Sequence, residues 1–260
     1  MELTEVKFWD DYWAKTKLPV TIDPDFSFDR CLAQTLKKNL PDISGEVLEV
    51  GCAPGKWLAF MAKEFGLKPS GIEYSEAGMN ATMRNFQLLG LEPGFIRAGD
   101  FFQIKPDRQF DVVMSFGFIE HFTEADGVVE LHLQWLKPGG ILILGVPNFC
   151  GINSFLQRIL DKGLLDKHNL NIMNLDYFAN LTIRFNLESI FLNYIGSFEP
   201  ALPISKPRIE NPLQFMAKSF IWLTRRARRI KLLDALNNRL FSSYILAVYK
   251  KSEGSVNFLV

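Results

Sequence analysis

The stretch Val47-Leu48-Glu49-Val50-Gly51-Cys52-Ala53-Pro54-Gly55-Lys56-Trp57-Leu58 decides how this sequence is read. An apolar run rich in β-branched residues breaks at a glycine, turns through small residues and meets a second glycine. It then resumes as an amphipathic pattern through Trp57, Leu58, Phe60, Met61 and Phe65. That order is a strand, a tight loop and a helix, which Gly66 closes. Gly51 lets the backbone turn sharply at the carboxyl end of the strand, and Gly55 lets a ligand or the strand approach the helix start with no Cβ in the way. A crevice at the carboxyl ends of parallel strands is where doubly wound proteins bind nucleotide-like ligands.

Spacing narrows the ligand. A dinucleotide fingerprint needs glycines at 51, 53 and 56, but those positions hold Gly51, Ala53 and Lys56, so the pyrophosphate cradle is not met. A P-loop needs four residues between its glycines and a Ser or Thr after the lysine; here three intervene and Trp57 follows. Glu49-x-Gly51-x-Ala53-x-Gly55 instead resembles the first motif of the class I S-adenosylmethionine-dependent methyltransferases, acidic-x-Gly-x-Gly-x-Gly, with Ala53 replacing the middle glycine. A second run carries the same resemblance. Phe110-Asp111-Val112-Val113-Met114-Ser115-Phe116-Gly117 reads as a buried strand and continues into Phe118-Ile119-Glu120-His121-Phe122. A helix follows from about Thr123 to Leu136, then a Lys137-Pro138-Gly139-Gly140 turn and a strand Ile141–Val146 stopped by Pro147.

On these two motifs the chain is identified as a member of that family over about residues 45–150, and more loosely through its C-terminal strands. The resemblance implies a doubly wound α/β fold whose mostly parallel seven-stranded sheet runs 3-2-1-4-5-7-6, with an antiparallel last strand and helices on both faces. It also implies S-adenosylmethionine as cofactor, held by Glu49, Gly51, Ala53, Gly55, Glu73, Tyr74, Asp100, Phe101, Ser115 and Gly117. Glu73 ends a short second strand about twenty residues after Gly51, where Rossmann-like folds place a carboxylate on ribose hydroxyls; its rival role is that of a surface glutamate. Asp100, followed by Phe101, resembles the adenine site, with a turn-capping role as the rival.

Glu120 and His121 are the candidate catalytic pair. Histidine titrates near neutrality unaided, so His121 is a candidate base if an acceptor hydroxyl must lose its proton. The competing role is structural, with His121 shaping the loop. The stretch Phe116–Phe122 also resembles the matching segment of cyclopropane fatty-acid synthases, where the pair helps to hold a bicarbonate base. His168 is a further base candidate, set against a solvated loop histidine. His121 and His132 stand eleven positions apart on different elements, so no metal site is expected.

Composition bounds the rest. The 260 residues, 48% hydrophobic, suffice for one large domain, and a net charge of zero offers no global electrostatic case for nucleic acid as partner. Three scattered cysteines, an acidic N-terminus with no apolar core and no apolar run near the about 18 residues of a membrane span point to a reducing, cytoplasmic setting.

The expected organisation is a single domain over 1–260: a helical cap at 1–46, a cofactor-binding core at 47–147, an insertion or lid at 148–174, and C-terminal strands with a basic helix in 175–260. In the cap, Phe8, Trp9, Tyr12 and Trp13 recur at helical spacing as core or lid rim, and Asp29–Leu40 forms a second amphipathic segment. Asp176–Phe185 reads as a helix and Ser189–Phe198 as the sixth strand. Asn211 as cap, Pro212 at the first position and Gln214 announce the basic helix, set at 212–240, with Met216, Phe220, Leu223, Ala227 and Ile230 as its packed face. Lys218, Arg225, Arg226, Arg228, Arg229 and Lys231 beside that face suit either solvent or an anionic membrane surface.

The expected activity is methyl transfer to a small-molecule or sugar hydroxyl in glycan or secondary-metabolite biosynthesis. The alternatives are a membrane-surface lipid or quinone methyltransferase and a non-catalytic cofactor-binding partner subunit. An oxidoreductase reading conflicts with Lys56 at the third-glycine position.

Overall fold

The computed structural model describes residues 5–196, 212–227 and 229–253. Strand β1 (Glu46–Val50) is followed by helix α3 (Lys56–Phe65), β2 (Lys68–Glu73), α4 (Glu76–Leu89), β3 (Ile96–Ala98) and β4 (Phe110–Phe116). Then come α5 (Ala125–Gln134), β5 (Leu136–Pro147), α6 (Gly151–Leu165), α7 (Leu175–Phe185), β6 (Leu187–Ile195), α8 (Pro212–Ala227) and β7 (Tyr244–Lys251). Two helices precede the sheet, α1 (Val6–Trp13) and α2 (Ser27–Asn39). The seven strands are ordered β3-β2-β1-β4-β5-β7-β6, as expected. Strand β7 runs antiparallel to both of its neighbours, and the other pairings are parallel.

Both faces of the sheet are covered, which is why its central strands read as continuous apolar runs. Successive side chains of β7 part to opposite faces. Ile245, Ala247 and Tyr249 join the cluster beneath α5, α6 and α7, while Leu246 and Val248 join the one beneath α2 and α3. The crossovers stop where glycines permit: α3 ends at Gly66 and α4 at Gly90, both with left-handed backbone. Ser75 caps α4 by accepting from the Gly78 N–H at 3.0 Å.

Several boundaries differ from the sequence expectation. The Lys137-Pro138-Gly139-Gly140 segment is the irregular start of β5, with a register shift opposite Phe110 and Val112. Helix α5 accordingly stops at Gln134. The insertion is itself helical, as α6 and a 3₁₀ turn at Leu170–Ile172. The sixth strand begins earlier, at Leu187; Phe198 and the cap residue Asn211 lie outside the described residues.

The basic helix ends at Ala227 and is followed by a 3₁₀ turn at Lys231–Ala235 rather than running to 240. It buries Gln214, Ala217 and Ile221, whereas Leu213, Phe215, Met216, Trp222 and Leu223 are exposed. The packed face is thus narrower than its apolar spacing suggests, and among the described residues α8 packs against α6. Among the described residues no helix is long and apolar enough to cross a membrane.

Candidate functional site

A cavity of about 210 Å³ opens at the carboxyl ends of β1, β2 and β4, walled by Gly51, Ala53, Glu73 and Tyr74 on one side and Gly117, Phe118 and His121 on the other. A smaller space of about 30 Å³, lined by Asp100, Phe101 and Phe102, adjoins it and shares Gly51, Tyr74, Phe118 and Phe122. Gly51 has φ +70, and a Cβ there would stand 2.9 Å from the Phe118 ring. A side chain at 51 would therefore be strained in its backbone and would crowd the cavity wall.

The carboxylate of Glu73 is nearly enclosed and tied at both oxygens. Oε2 accepts from the Ala53 N–H and Oε1 from the Ser75 N–H, each at 3.0 Å. Burial pushes this carboxyl above the usual range, and those backbone bonds pull against the shift. The loop and the start of α4 are thereby built around one acid that faces the cavity, a cradle that suits the hydroxyls of a ribose. Asp100 does what its rival reading proposed: it caps a turn, accepting from the Phe102 N–H at 2.9 Å and the Gln103 amide at 3.0 Å, while lining the smaller space. Phe101 is buried edge-on against Phe118 and His132, and Phe102 is the exposed ring.

Three of the expected cofactor residues stand away from the lining. Glu49 is buried below the loop, its carboxyl raised well above the usual range by desolvation. Gly55 caps α3 and packs on Phe86 and Thr82. Ser115 lies buried within β4. All three support the loop and strand from behind. Lys56 turns to α2, where its Nζ meets Asp29 Oδ1 at 2.6 Å.

Helix α1 forms the outer wall. Trp9, Tyr12 and Trp13 line the cavity, so the aromatic stripe is a rim. Asp10 on the same helix accepts from the Ser75 hydroxyl at 2.6 Å and from the Ala77 N–H at 3.2 Å, which docks α1 on the start of α4.

The opposite wall is the 3₁₀ turn Ile119–His121. The insertion is stitched to it: the Asn169 N–H donates to the Glu120 carbonyl at 2.6 Å, and the Asn169 amide donates to the Phe122 carbonyl at 3.0 Å. His121 Nδ1 lies 3.0 Å from the Lys167 carbonyl. A carbonyl only accepts, so Nδ1 carries the proton and the neutral ring keeps its lone pair on Nε2. Burial, aided by the neighbouring His168, pulls the His121 pKa down to about 3, and burial pushes that of Glu120 up to about 8. Enclosure thus disfavours the charged form of His121, which weighs toward the structural of its two candidate roles.

His168, set against a solvated position in the sequence reading, is instead largely covered. Its ring centroid lies 4.7 Å from that of His121 and 4.9 Å from that of Phe149. Although His121 and His132 do fall on different elements, Glu120, His121 and His168 bring one donor atom each to within 4.8 Å of one another. Sequence reasoning missed that grouping. The one signal for it was that His168 lies in the segment assigned to the acceptor side.

A family profile described as "Methyltransferase domain" matches residues 27–190. The tRNA U34 carboxymethyltransferase of Desulfotalea psychrophila is 33% identical over 144 residues, covering 49% of this chain and 41% of that protein. The ubiquinone biosynthesis O-methyltransferase of Rickettsia prowazekii is 27% identical over 118 residues, covering 45% of this chain and 46% of that protein. The match thus spans less than half the length of these relatives. Among solved structures, a SAM-dependent methyltransferase from Thiobacillus denitrificans in complex with S-adenosyl-L-homocysteine superposes with a TM-score of 0.55 at 16% identity, over 96% of this chain and 99% of that one.

Proposed function

The chain belongs to the class I S-adenosylmethionine-dependent methyltransferases, and on that footing we propose that it methylates a hydroxyl oxygen of a small molecule or sugar. The observation that carries this reading is the neutral imidazole of His121, its Nδ1–H held by the Lys167 carbonyl, on the cavity wall opposite the Glu73 loop. When bound, the cofactor supplies a methyl group already activated on a positive sulfonium. The chain's own contribution is then to bind, orient and exclude water. Glu73 and the Gly51–Gly55 loop hold the nucleoside end, and Asp100 with Phe101 borders the base. Trp9, Tyr12 and Trp13 cover the cavity from solvent. Alignment of acceptor and methyl group alone contributes about 7–11 kcal/mol, and His121 Nε2 orients the acceptor hydroxyl by accepting its hydrogen bond, since a ring whose charged form burial disfavours is a weak proton acceptor. The oxygen acceptor accords with the O-methyltransferase among the relatives. A zero net charge argues against tRNA, the acceptor named for another.

One observation favours a second acceptor class. Leu213, Phe215, Met216, Trp222 and Leu223 of α8 are exposed beside cationic residues, as on helices that lie in a lipid interface, which suits a lipid or quinone presented at a membrane. Incubation with methyl-labelled S-adenosylmethionine and a panel of phenols, sugars, lipids and transcribed tRNA separates these readings. Label in an alkali-stable ether of a soluble hydroxyl is the expected result; label in tRNA alone overturns it.

A further inference from the structure

Glu120, His121 and His168 come from two distant parts of the chain, the 3₁₀ turn after β4 and the end of the insertion, and each brings one donor atom to within 4.8 Å of the others. Both imidazoles are held in the same way. Nδ1 of His121 faces the Lys167 carbonyl at 3.0 Å, and Nδ1 of His168 faces the Leu164 carbonyl at 2.6 Å. Each ring therefore carries its proton on Nδ1 and its lone pair on Nε2, the tautomer that metal-binding histidines adopt when a backbone carbonyl orients them.

The third member is a buried carboxylate. Glu120 is 1% exposed, its Oε2 has no hydrogen-bond partner among the described residues, and Oε1 stands 4.0 Å from His121 Nε2. An enclosed carboxyl group whose oxygen lacks a partner is costly, and a cation between it and the two imidazoles removes that cost by stabilising the ionised form.

We propose that Glu120, His121 and His168 form a binding site for a divalent transition-metal ion of the Zn²⁺ or Co²⁺ kind. Two imidazole nitrogens and one carboxylate oxygen are the donor set of zinc sites that keep an open coordination position. Ligand distances of about 2.0–2.2 Å around one ion require the three groups to draw together by roughly an ångström, a movement within reach of the side chains alone. The open position faces the cavity. His121 lines it, and Glu120 Oε1 lies 3.5 Å from the position a Cβ would take on Gly117, which also lines it.

The role of the ion rests on the hydroxyl-acceptor reading above; its binding does not. With the ion in place, an acceptor hydroxyl coordinates at the open position and loses its proton to solvent, because coordination lowers the pKa of a bound O–H. His121 then serves as a ligand, and the metal supplies the activation of the hydroxyl that the enclosed imidazole alone does not.

The test uses the untagged full chain, stripped with chelator and titrated with ZnCl₂ and CoCl₂, with S-adenosylhomocysteine titrated in parallel. One equivalent of Zn²⁺ binds, and Co²⁺ gives visible d–d bands of a four- or five-coordinate site. Glu120→Gln and His168→Phe each weaken metal binding at least 100-fold and leave S-adenosylhomocysteine affinity within about 3-fold. His168→Asn, a smaller change, serves if the phenylalanine variant fails to fold. Absence of stoichiometric metal, or metal affinity equal in wild type and variants, overturns the site. Retained S-adenosylhomocysteine binding in that case leaves the methyltransferase reading standing, and loss of it in wild type strikes that reading instead.

Discussion

Asp10 Oδ1 accepts a hydrogen bond from Ser75 Oγ at 2.6 Å, so the first helix is fastened to the residue that caps α4. The contact places the rim residues Trp9, Tyr12 and Trp13 over the cavity beside Glu73. Hydrogen bonds to a charged group contribute about 1.5–3 kcal/mol. Asp10→Ala is therefore expected to weaken S-adenosylhomocysteine binding about 10-fold and to speed amide exchange over residues 6–13. Unchanged exchange and affinity would mean that the aromatic packing holds the helix without this bond.

Glu73 serves two partners on the chain before it meets any ligand. Glu73→Gln keeps the volume but sets an NH₂ against one of the two N–H donors, Ala53 or Ser75. One buried donor is left unpaired, at a cost of about 1–3 kcal/mol. S-adenosylhomocysteine affinity is expected to fall 10- to 100-fold with the melting temperature lowered by several degrees. Retention of wild-type affinity by calorimetry removes Glu73 from the cofactor site.

His132 tests how burial links protonation to stability. It is fully enclosed in α5, its Nδ1 lies 2.7 Å from the Val128 carbonyl, and burial pulls its pKa down to about 4. The unfolded chain, with an ordinary value near 6.5, then binds the proton more tightly than the folded one. Stability is full above about pH 6.5 and falls as pH is lowered through about 4, by a total of roughly 3 kcal/mol. His121 acts in the same direction, while Glu120, raised to about 8, contributes stability that is lost as pH rises from its ordinary value near 4.5 to about 8. Urea titrations at pH 4.5, 5.5, 6.5 and 7.5 are expected to show a shallower acid slope in His132→Leu than in wild type. Equal slopes would assign the acid lability to other groups.

The exposed face of α8 makes a separate prediction. Trp222 is 58% exposed, with the Arg226 guanidinium 4.6 Å from its ring centroid, and Leu223 beside it is 62% exposed. Vesicles containing anionic lipid should carry wild-type protein upward in a density gradient, less so at high salt. Trp222→Glu with Leu223→Glu should abolish the flotation without altering the fold, since both side chains are mostly exposed. A wild-type protein that stays at the bottom of the gradient refutes the membrane-surface reading.

The elements that were legible from the sequence are those whose signals are local. The β-branched runs of β1 and β4, the break at Gly51, the glycine ends of α3 and α4 and the acid at the end of β2 follow from periodicity and backbone freedom, which neighbouring residues set among themselves. With the two motifs, they were enough to expect the sheet order and the position of Glu73 at the crevice. What tertiary structure alone decided depends on groups far apart in the chain. Asp10 meets Ser75 across 65 positions, and His121 meets the Lys167 carbonyl across 46, which draws His168 in beside Glu120. The withdrawal of Ser115 and Glu49 from the cavity, the outward apolar face of α8 and the neutral state of His121 have the same origin. Burial is a property of the closed structure, and it sets which side chains face a ligand and which protonation state each one keeps.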